Sequence, residues 1–135
     1  MTPDEDGQIR VVVCDDVAEL RHILRSVLEE DPGVEVVAEA DNGDDGIRLV
    51  SELRPEIALL DLSMPGRDGL EVIPLIAERS PGTGIIVLSG FAADRMRSLA
   101  LELGADRYVQ KGEPLEVLRA AVRDVAERRR DGTGR

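Results

Sequence analysis

The stretch IALLDLSMPGRDG, from Ile57 to Gly69, decides the fold that the sequence predicts. Its first four residues, Ile57 to Leu60, are all apolar and lack the polar alternation of a half-exposed strand. A short continuous run of this kind is typical of a strand covered on both faces, as in a parallel sheet. Asp61 follows directly, so this strand is expected to end in a carboxylate.

Comparable strands lie on both sides of this stretch, and each precedes a segment of helical periodicity. The predicted strands span residues 9–14, 34–38, 57–60, 85–88 and 108–110. Because strands that alternate with helices form parallel sheets with helices on both faces, we expect an α/β fold. The predicted architecture is a doubly wound five-stranded parallel sheet in the order 2-1-3-4-5, flanked by five helices.

Apolar residues three and four positions apart predict the helices. The apolar faces comprise Val17, Leu20, Ile23, Leu24, Val27 and Leu28 in the first helix, Ile47, Val50 and Leu53 in the second, Met96, Leu99, Ala100 and Leu103 in the fourth, and Leu115, Leu118, Val122 and Val125 in the fifth. The third helix, near Leu70 to Glu78, contains Pro74, which predicts a late start or a kink. Gly104 and Asp131-Gly132 are expected to end the fourth and fifth helices.

Composition limits the function classes. Residues 8–130 are expected to form one domain, between a disordered acidic segment of residues 1–7 and a tail or linker of residues 131–135. A net charge of −11 argues against direct binding to nucleic acid or to an anionic membrane. A single cysteine, Cys14, and the lack of a signal-peptide pattern favour the reducing cytoplasm. No apolar run is long enough to span a bilayer.

Polar residues follow four of the five predicted strands. Asp15 and Asp16 follow the first, Asp61 the third, Ser89 the fourth and Lys111 the fifth. Ligands of doubly wound sheets bind beyond these carboxyl ends, where the strand order reverses. Lys111 is the only lysine among 17 basic residues, which suggests a task for a compact ammonium group.

Three carboxylates at one edge require compensation. At about 4.5 Å and an effective dielectric constant of about 20, each pair repels by roughly 4 kcal/mol. Hard oxygen ligands that leave room for water suit Mg²⁺. Acceptor oxygens, a metal ion, a lysine and a hydroxyl group together suit a transferring phosphoryl group. No histidine or cysteine is expected in the cleft, which leaves a carboxylate as the nucleophile.

With these motifs, residues 8 to about 128 resemble the receiver domains of two-component signalling, whose fold is flavodoxin-like (CheY-like). The resemblance rests on VVCDD from Val12 to Asp16, LLDLSMPGRDG from Leu59 to Gly69, VLSG from Val87 to Gly90 and GADRYVQK from Gly104 to Lys111. It implies a signalling domain and not an enzyme with an external substrate. Its only chemistry would be self-phosphorylation and self-dephosphorylation.

The resemblance also implies roles for individual residues. Asp61 matches the position that accepts a phosphoryl group from a histidine kinase, and Lys111 matches the lysine that pairs with the phosphate. Mg²⁺ would be held by Asp15, Asp16, Asp61 and the backbone carbonyl of Ser63. Ser89 and Tyr108 match the two switch residues, which change the face formed by the fourth helix, fifth strand and fifth helix. A homodimer on phosphorylation is a further expectation.

Two departures from the family pattern stand out. Many members have Lys-Pro with a cis peptide bond where this chain has Lys111-Gly112, a form similar to receivers attached to LuxR-type DNA-binding domains. This feature favours transcription as the output, through a domain that lies outside the chain. Gly46 stands where alanine is common, and we expect it to weaken the second helix.

Other interpretations stay open from the sequence. A stand-alone receiver would act through protein contacts, and an unphosphorylated pseudo-receiver would keep the fold without the chemistry. A phosphatase of the haloacid dehalogenase type needs a second aspartate two residues after the nucleophile, where this chain has Ser63. A flavin-binding module would need a phosphate-binding loop after the first strand. His22, on the first helix, is expected to be a surface residue.

Overall fold

The computed structural model describes residues 8–90 and 94–132, and the acidic segment of residues 1–7 lies outside this range. The strands are β1 (Ile9–Cys14), β2 (Val34–Ala40), β3 (Ile57–Leu60), β4 (Gly84–Ser89) and β5 (Arg107–Gln110). The helices are α1 (Ala18–Leu28), α2 (Gly43–Leu53), α3 (Gly69–Arg79), α4 (Asp94–Leu103) and α5 (Leu115–Arg130). None of these described helices is both long and apolar enough to cross a membrane.

The five strands form one parallel sheet in the order β2-β1-β3-β4-β5. This confirms the predicted doubly wound order. Alternate residues of each strand pack on opposite faces, so Val11 and Val13 contact the core beneath α1 and α5, whereas Val12 and Cys14 contact the core beneath α2, α3 and α4. Both faces are therefore covered, which explains why every residue of β3 and β4 is buried.

Local signals in the sequence account for several helix ends. The Asn42 side chain accepts a hydrogen bond from the Asp45 N–H (2.9 Å) and begins α2, and Asp68 does the same for the Leu70 N–H (2.9 Å) at α3. Gly104 follows α4 with φ 124°, and Gly132 follows α5 with φ 75°. Both glycines have the positive φ typical of residues that end helices, as their predicted positions at the ends of α4 and α5 suggested.

Helix α3 does not start late at its proline. It begins at Gly69 and includes Pro74 as an interior residue. Proline has no N–H, so the Leu70 carbonyl lacks its usual partner one turn later. The Asp68 cap and the buried residues Val72 and Ile76 on the same helix stabilise it in spite of this loss.

Several apolar helix residues are exposed although their spacing placed them on the apolar face. Ile23 and Leu99 each precede a buried residue by one position, and this rotates their side chains about 100° away from the sheet. Leu103 and Leu115 lie at the ends of α4 and α5 and are also exposed. The predicted apolar faces were therefore too wide at these positions.

Candidate functional site

The sheet order brings the carboxyl ends of β1 and β3 together. Cys14 is in register with Leu60, and the Asp61 N–H donates to the Cys14 carbonyl (2.9 Å). The residues after the two strands, Asp15 and Asp61, are consequently neighbours. This is the contact that the predicted strand order required.

Asp15, Asp16 and Asp61 converge, with one carboxylate oxygen from each lying within 4.8 Å of the others. Asp15 and Asp61 are only 1% and 2% exposed, whereas Asp16 faces solvent. The Val17 N–H donates to Asp15 Oδ1 (2.8 Å). Within the described ranges, no group donates a hydrogen bond of good geometry to the buried Asp15 Oδ2. An acceptor of this kind suits a cation.

Lys111 supplies the positive charge that the sequence predicted. It follows β5, and its Nζ lies 3.3 Å from Asp61 Oδ2, to which it donates, and 3.4 Å from Asp15 Oδ2 at ion-pair distance. Among the described residues, one ammonium group thus faces three converging carboxyl groups. The site therefore has the electrostatic character of a divalent-cation site.

The pKa of Asp15 is raised above its ordinary value. Burial is the main cause, and the charge of Asp61 adds to it, whereas the Val17 N–H and the Lys111 ammonium group act in the opposite direction. A buried carboxylate whose charged form is disfavoured gains from a bound cation, because the cation replaces the solvation that burial removes.

Asp61 presents its two oxygens to different partners. Oδ1 accepts a hydrogen bond from the Ser63 N–H (3.0 Å), while Oδ2 faces Lys111. The loop that follows is fixed by close packing at Gly69, where a Cβ atom would lie 2.5 Å from Leu62 Cα. Glycine is required at that position, and the pair Asp68-Gly69 at the start of α3 is the signal from which the sequence could have shown it.

Ser89 ends β4, and Lys111 directly follows the neighbouring strand β5. Ser89 is in register with Gln110, and the Lys111 N–H donates to the Ser89 carbonyl (2.7 Å). The Ser89 side chain is fully buried. Gly112 then turns the chain with φ 100°, a conformation that glycine adopts without strain. This φ explains why glycine follows Lys111 in this chain.

Tyr108 lies on β5 in register with Val87 and is only 4% exposed. The guanidinium group of Arg97, on α4, lies over its ring. No sequence pattern indicated Arg97, because a cation–π contact between a helix and a strand has no local signature. His22 is exposed on α1, as expected of a surface residue.

Comparison with known proteins agrees with this geometry. The response regulator receiver domain model matches residues 11–123. A protein-glutamate methylesterase/protein-glutamine glutaminase of Geobacter sulfurreducens is 43% identical over 77% of the chain and 28% of its own length. The transcriptional regulatory protein LiaR of Bacillus subtilis is 37% identical over 88% of the chain and 56% of its own length.

Among solved structures, the signal receiver domain of the response regulator NarL from Mycobacterium tuberculosis superposes with a TM-score of 0.83 and 32% identity, covering 89% of this chain and 97% of that one. The chain spans only about 28% to 56% of the length of the two relatives named above. One family accounts for the matched residues, the strand order and the likeness to a solved receiver domain. The chain belongs to the response regulator receiver domains.

Proposed function

We propose that the chain is a phosphorylation switch in which Asp61 accepts a phosphoryl group from a histidine kinase. The observation that carries the proposal is the buried pair Asp15 and Asp61, which shares the Lys111 ammonium group. Placing two carboxylates in the interior costs stability, and a chain that needed only the fold could have placed neutral residues there. A pseudo-receiver would not require this arrangement.

The nucleophile would be Asp61 Oδ2, because this oxygen faces the Lys111 ammonium group that would compensate the incoming phosphoryl charge, whereas Oδ1 accepts from the Ser63 N–H. Oδ2 attacks the phosphorus atom of a phosphohistidine, a P–O bond forms, and the P–N bond breaks with its electron pair leaving on the histidine nitrogen. Lys111 remains beside the incoming oxygens and compensates their charge. Hydrolysis of the acyl phosphate by water returns the carboxylate and releases phosphate. No other substrate is proposed.

The donor set fits Mg²⁺, with Asp15, Asp16, Asp61 and the Ser63 backbone carbonyl as the proposed protein ligands. The buried Asp15 Oδ2 supports this assignment, because it shares the single Lys111 ammonium group with Asp61 and a carboxylate oxygen in the interior gains from a further positive partner. When bound, the ion would neutralise charge on the phosphoryl oxygens. Lys111 and the Ser63 N–H would keep Asp61 oriented for the attack.

Phosphorylation would replace one carboxylate charge by about −1.5 to −2 and add acceptor oxygens. Ser89, which ends β4, and Lys111, which follows the adjacent β5 and donates to Asp61 Oδ2, are the groups proposed to respond. Tyr108 lies two residues before Gln110 on β5 and connects this edge with α4 through Arg97. The output surface is therefore proposed to be the face formed by α4, β5 and α5.

For the output itself we propose transcription, through a DNA-binding domain outside the chain. The Lys111-Gly112 turn supports this, together with the likeness to LiaR, which is a transcriptional regulator. The net charge of −11 disfavours direct contact of this segment with DNA. The reading frame after the codon for Arg135 provides the test: a helix-turn-helix segment would support the proposal, and a methylesterase domain or a stop codon would contradict it.

The location proposed is the cytoplasm, where a buried free thiol stays reduced. Burial, with a smaller effect from the charge of Asp15, raises the pKa of the Cys14 thiol to about 12. A histidine kinase is the proposed donor, and a homodimer is proposed for the phosphorylated form. Light scattering tests the homodimer: we expect twice the monomer mass for the phosphorylated chain and the monomer mass for the unphosphorylated chain.

The phosphoacceptor is tested by incubation with phosphoramidate or acetyl phosphate, with and without Mg²⁺, followed by intact mass measurement. We expect a Mg²⁺-dependent gain of one phosphoryl group, absent in Asp61→Asn. The matched control is Asp68→Asn, which changes the nearby α3 cap and leaves the carboxylate site intact. No gain under conditions that preserve acyl phosphates would favour a pseudo-receiver.

A further inference from the structure

The Asp15 carbonyl oxygen receives a hydrogen bond from a charged side chain. Arg21, in the first turn of α1, donates from Nη1 to this oxygen at 2.7 Å. Its Nε donates to Glu39 Oε1 on β2 at 3.0 Å. The Arg21 side chain is only 18% exposed, so its guanidinium group is held between α1 and β2 and has little freedom to rotate.

The oxygen that Arg21 contacts belongs to the peptide group joining Asp15 to Asp16. The orientation of this peptide plane decides where the Asp16 carboxylate points relative to that of Asp15. The Asp15 N–H is already fixed by the Ala40 carbonyl (3.0 Å), and the Asp15 carboxylate by the Val17 N–H (2.8 Å). Arg21 fixes the one remaining polar group of the Asp15 main chain.

Glu39 orients Arg21 and neutralises it. Its carboxylate lies between Arg21 Nε (3.0 Å) and Arg25 Nε (3.4 Å). Since the positive charge of Arg21 is balanced by Glu39, its contribution at the acidic site is mainly geometric. Arg25 lies one turn further along α1, contacts the same carboxylate, and donates to the Val36 carbonyl (3.0 Å) instead of to Asp15.

We propose that Arg21, oriented by Glu39, is a positioning residue for the divalent-cation site. It holds the Asp15–Asp16 peptide so that both carboxylates face Asp61. The inference rests on the proposed function, because it assumes that this cluster binds Mg²⁺. Hydrogen-bond partners behind metal ligands commonly change metal affinity by about 10- to 100-fold when they are removed.

The decisive experiment is calorimetric titration of the metal-free protein with Mg²⁺. Arg21→Gln removes the ion pair and shortens the side chain, and we expect the dissociation constant to rise by about 10-fold. Arg25→Gln is the matched control, because it loses a contact to the same Glu39 without touching Asp15. Its dissociation constant should equal that of the wild type. Equal constants for Arg21→Gln and Arg25→Gln would overturn the inference.

A second measurement separates binding from chemistry. The rate of phosphorylation by phosphoramidate is followed against Mg²⁺ concentration in both variants. We expect Arg21→Gln to need more Mg²⁺ for half-maximal rate and to reach the wild-type rate at saturation. A lowered rate at saturating Mg²⁺ with unchanged half-saturation would contradict a positioning role.

Two further variants keep the test valid if Arg21→Gln does not fold. Arg21→Lys keeps the charge but offers one nitrogen, which cannot reproduce the two separate hydrogen bonds. Glu39→Gln keeps Arg21 and weakens its orientation. Both should bind Mg²⁺ more weakly than Arg25→Lys, and equality with that control would overturn the inference. If the wild type itself binds no Mg²⁺, the proposed function fails and not only the role of Arg21.

Discussion

The guanidinium carbon of Arg97 lies 5.3 Å from the centroid of the Tyr108 ring. Helix α4 thus covers an aromatic residue that is already buried in the unphosphorylated chain. A cation–π contact at a partly exposed position contributes about 0.5–1 kcal/mol, which is enough to change the population of a buried ring several-fold. We therefore expect the position of Tyr108, the proposed switch residue, to depend on Arg97 of α4.

We expect Arg97→Met to increase the exposure of Tyr108, because the ring loses its cationic partner. The chain has one tyrosine and no tryptophan, so tyrosine fluorescence reports on this ring alone. Quenching by neutral acrylamide should be stronger in Arg97→Met than in the wild type. Arg95→Met, on the same helix, is the control and should quench like the wild type. Equal quenching in all three proteins would show that Arg97 does not hold the ring.

Substitution of Lys111 and substitution of Asp61 should change the stability of the metal-free protein in opposite directions. Lys111→Met leaves two buried carboxylates without their shared ammonium group, and we expect a loss of about 3 kcal/mol in the free energy of unfolding. Asp61→Asn removes one of the repelling charges and should raise that free energy. Urea denaturation in the presence of a chelator measures both. The same direction of change in the two variants would contradict this account of the site.

Adding Mg²⁺ should stabilise the wild type more than Asp61→Asn. At about 100 times its dissociation constant, an ion that binds only the folded state raises the free energy of unfolding by about 2.7 kcal/mol. We expect this increase for the wild type and a much smaller one for Asp61→Asn, because the variant lacks one carboxylate ligand. An equal increase in both proteins would place the ion elsewhere.

How much of this could be predicted from the sequence depends on the range of the interactions. The strands and the residues that follow them were predictable, because the periodicity of apolar residues and the turn residues between elements are local properties of the sequence. The predicted strand order then brought Asp15, Asp61 and Lys111 together. Arg21 and Arg97 were not predictable, because their partners lie on other elements and an arginine on a helix surface is usually solvated. The exposed Ile23 was placed wrongly because spacing alone does not define the width of a buried face.

A second charged pair, away from the site, predicts a pH dependence. The pKa of Asp31 is lowered, mainly by its hydrogen bond with Arg123 and also by the Gly33 N–H. Between this lowered pKa and the ordinary value the folded protein binds fewer protons than the unfolded one. The free energy of unfolding therefore rises with pH in that range. The contribution of Asp31 is complete above the unfolded-state pKa and is lost as the pH falls through the folded-state value.

Asp31→Asn should cost about 0.5–1 kcal/mol at pH 7, since both partners are partly exposed. The difference from the wild type should shrink as the pH falls below the ordinary aspartate pKa of about 3.8. Glu30→Gln removes the same charge from the more exposed pair with Arg119 and controls for the net charge. A difference for Asp31→Asn that did not depend on pH would rule out the ion pair as its cause.

Gly46 and Cys14 are predicted to be energetically coupled. Alanine in a helix interior is favoured over glycine by about 1 kcal/mol, so Gly46→Ala would stabilise α2 if space allowed. A Cβ atom at Gly46 would lie 2.9 Å from Cys14 Sγ but 3.7 Å from Cys14 Cβ. Because Cys14 is fixed in a central strand, the overlap should cost about 1–3 kcal/mol and cancel the helix gain or exceed it.

The coupling is measured by a double-mutant cycle. Removing the sulfur with Cys14→Ala relieves the overlap, so Gly46→Ala should be neutral or destabilising in the wild type and stabilising in the Cys14→Ala background. We expect a coupling energy of about 1–2 kcal/mol between the two changes, from urea denaturation of the four proteins. Additive effects would mean that the core adjusts to the new methyl group. Glycine at position 46 would then only weaken α2 and would not be required for packing against β1, the strand that precedes Asp15 and Asp16.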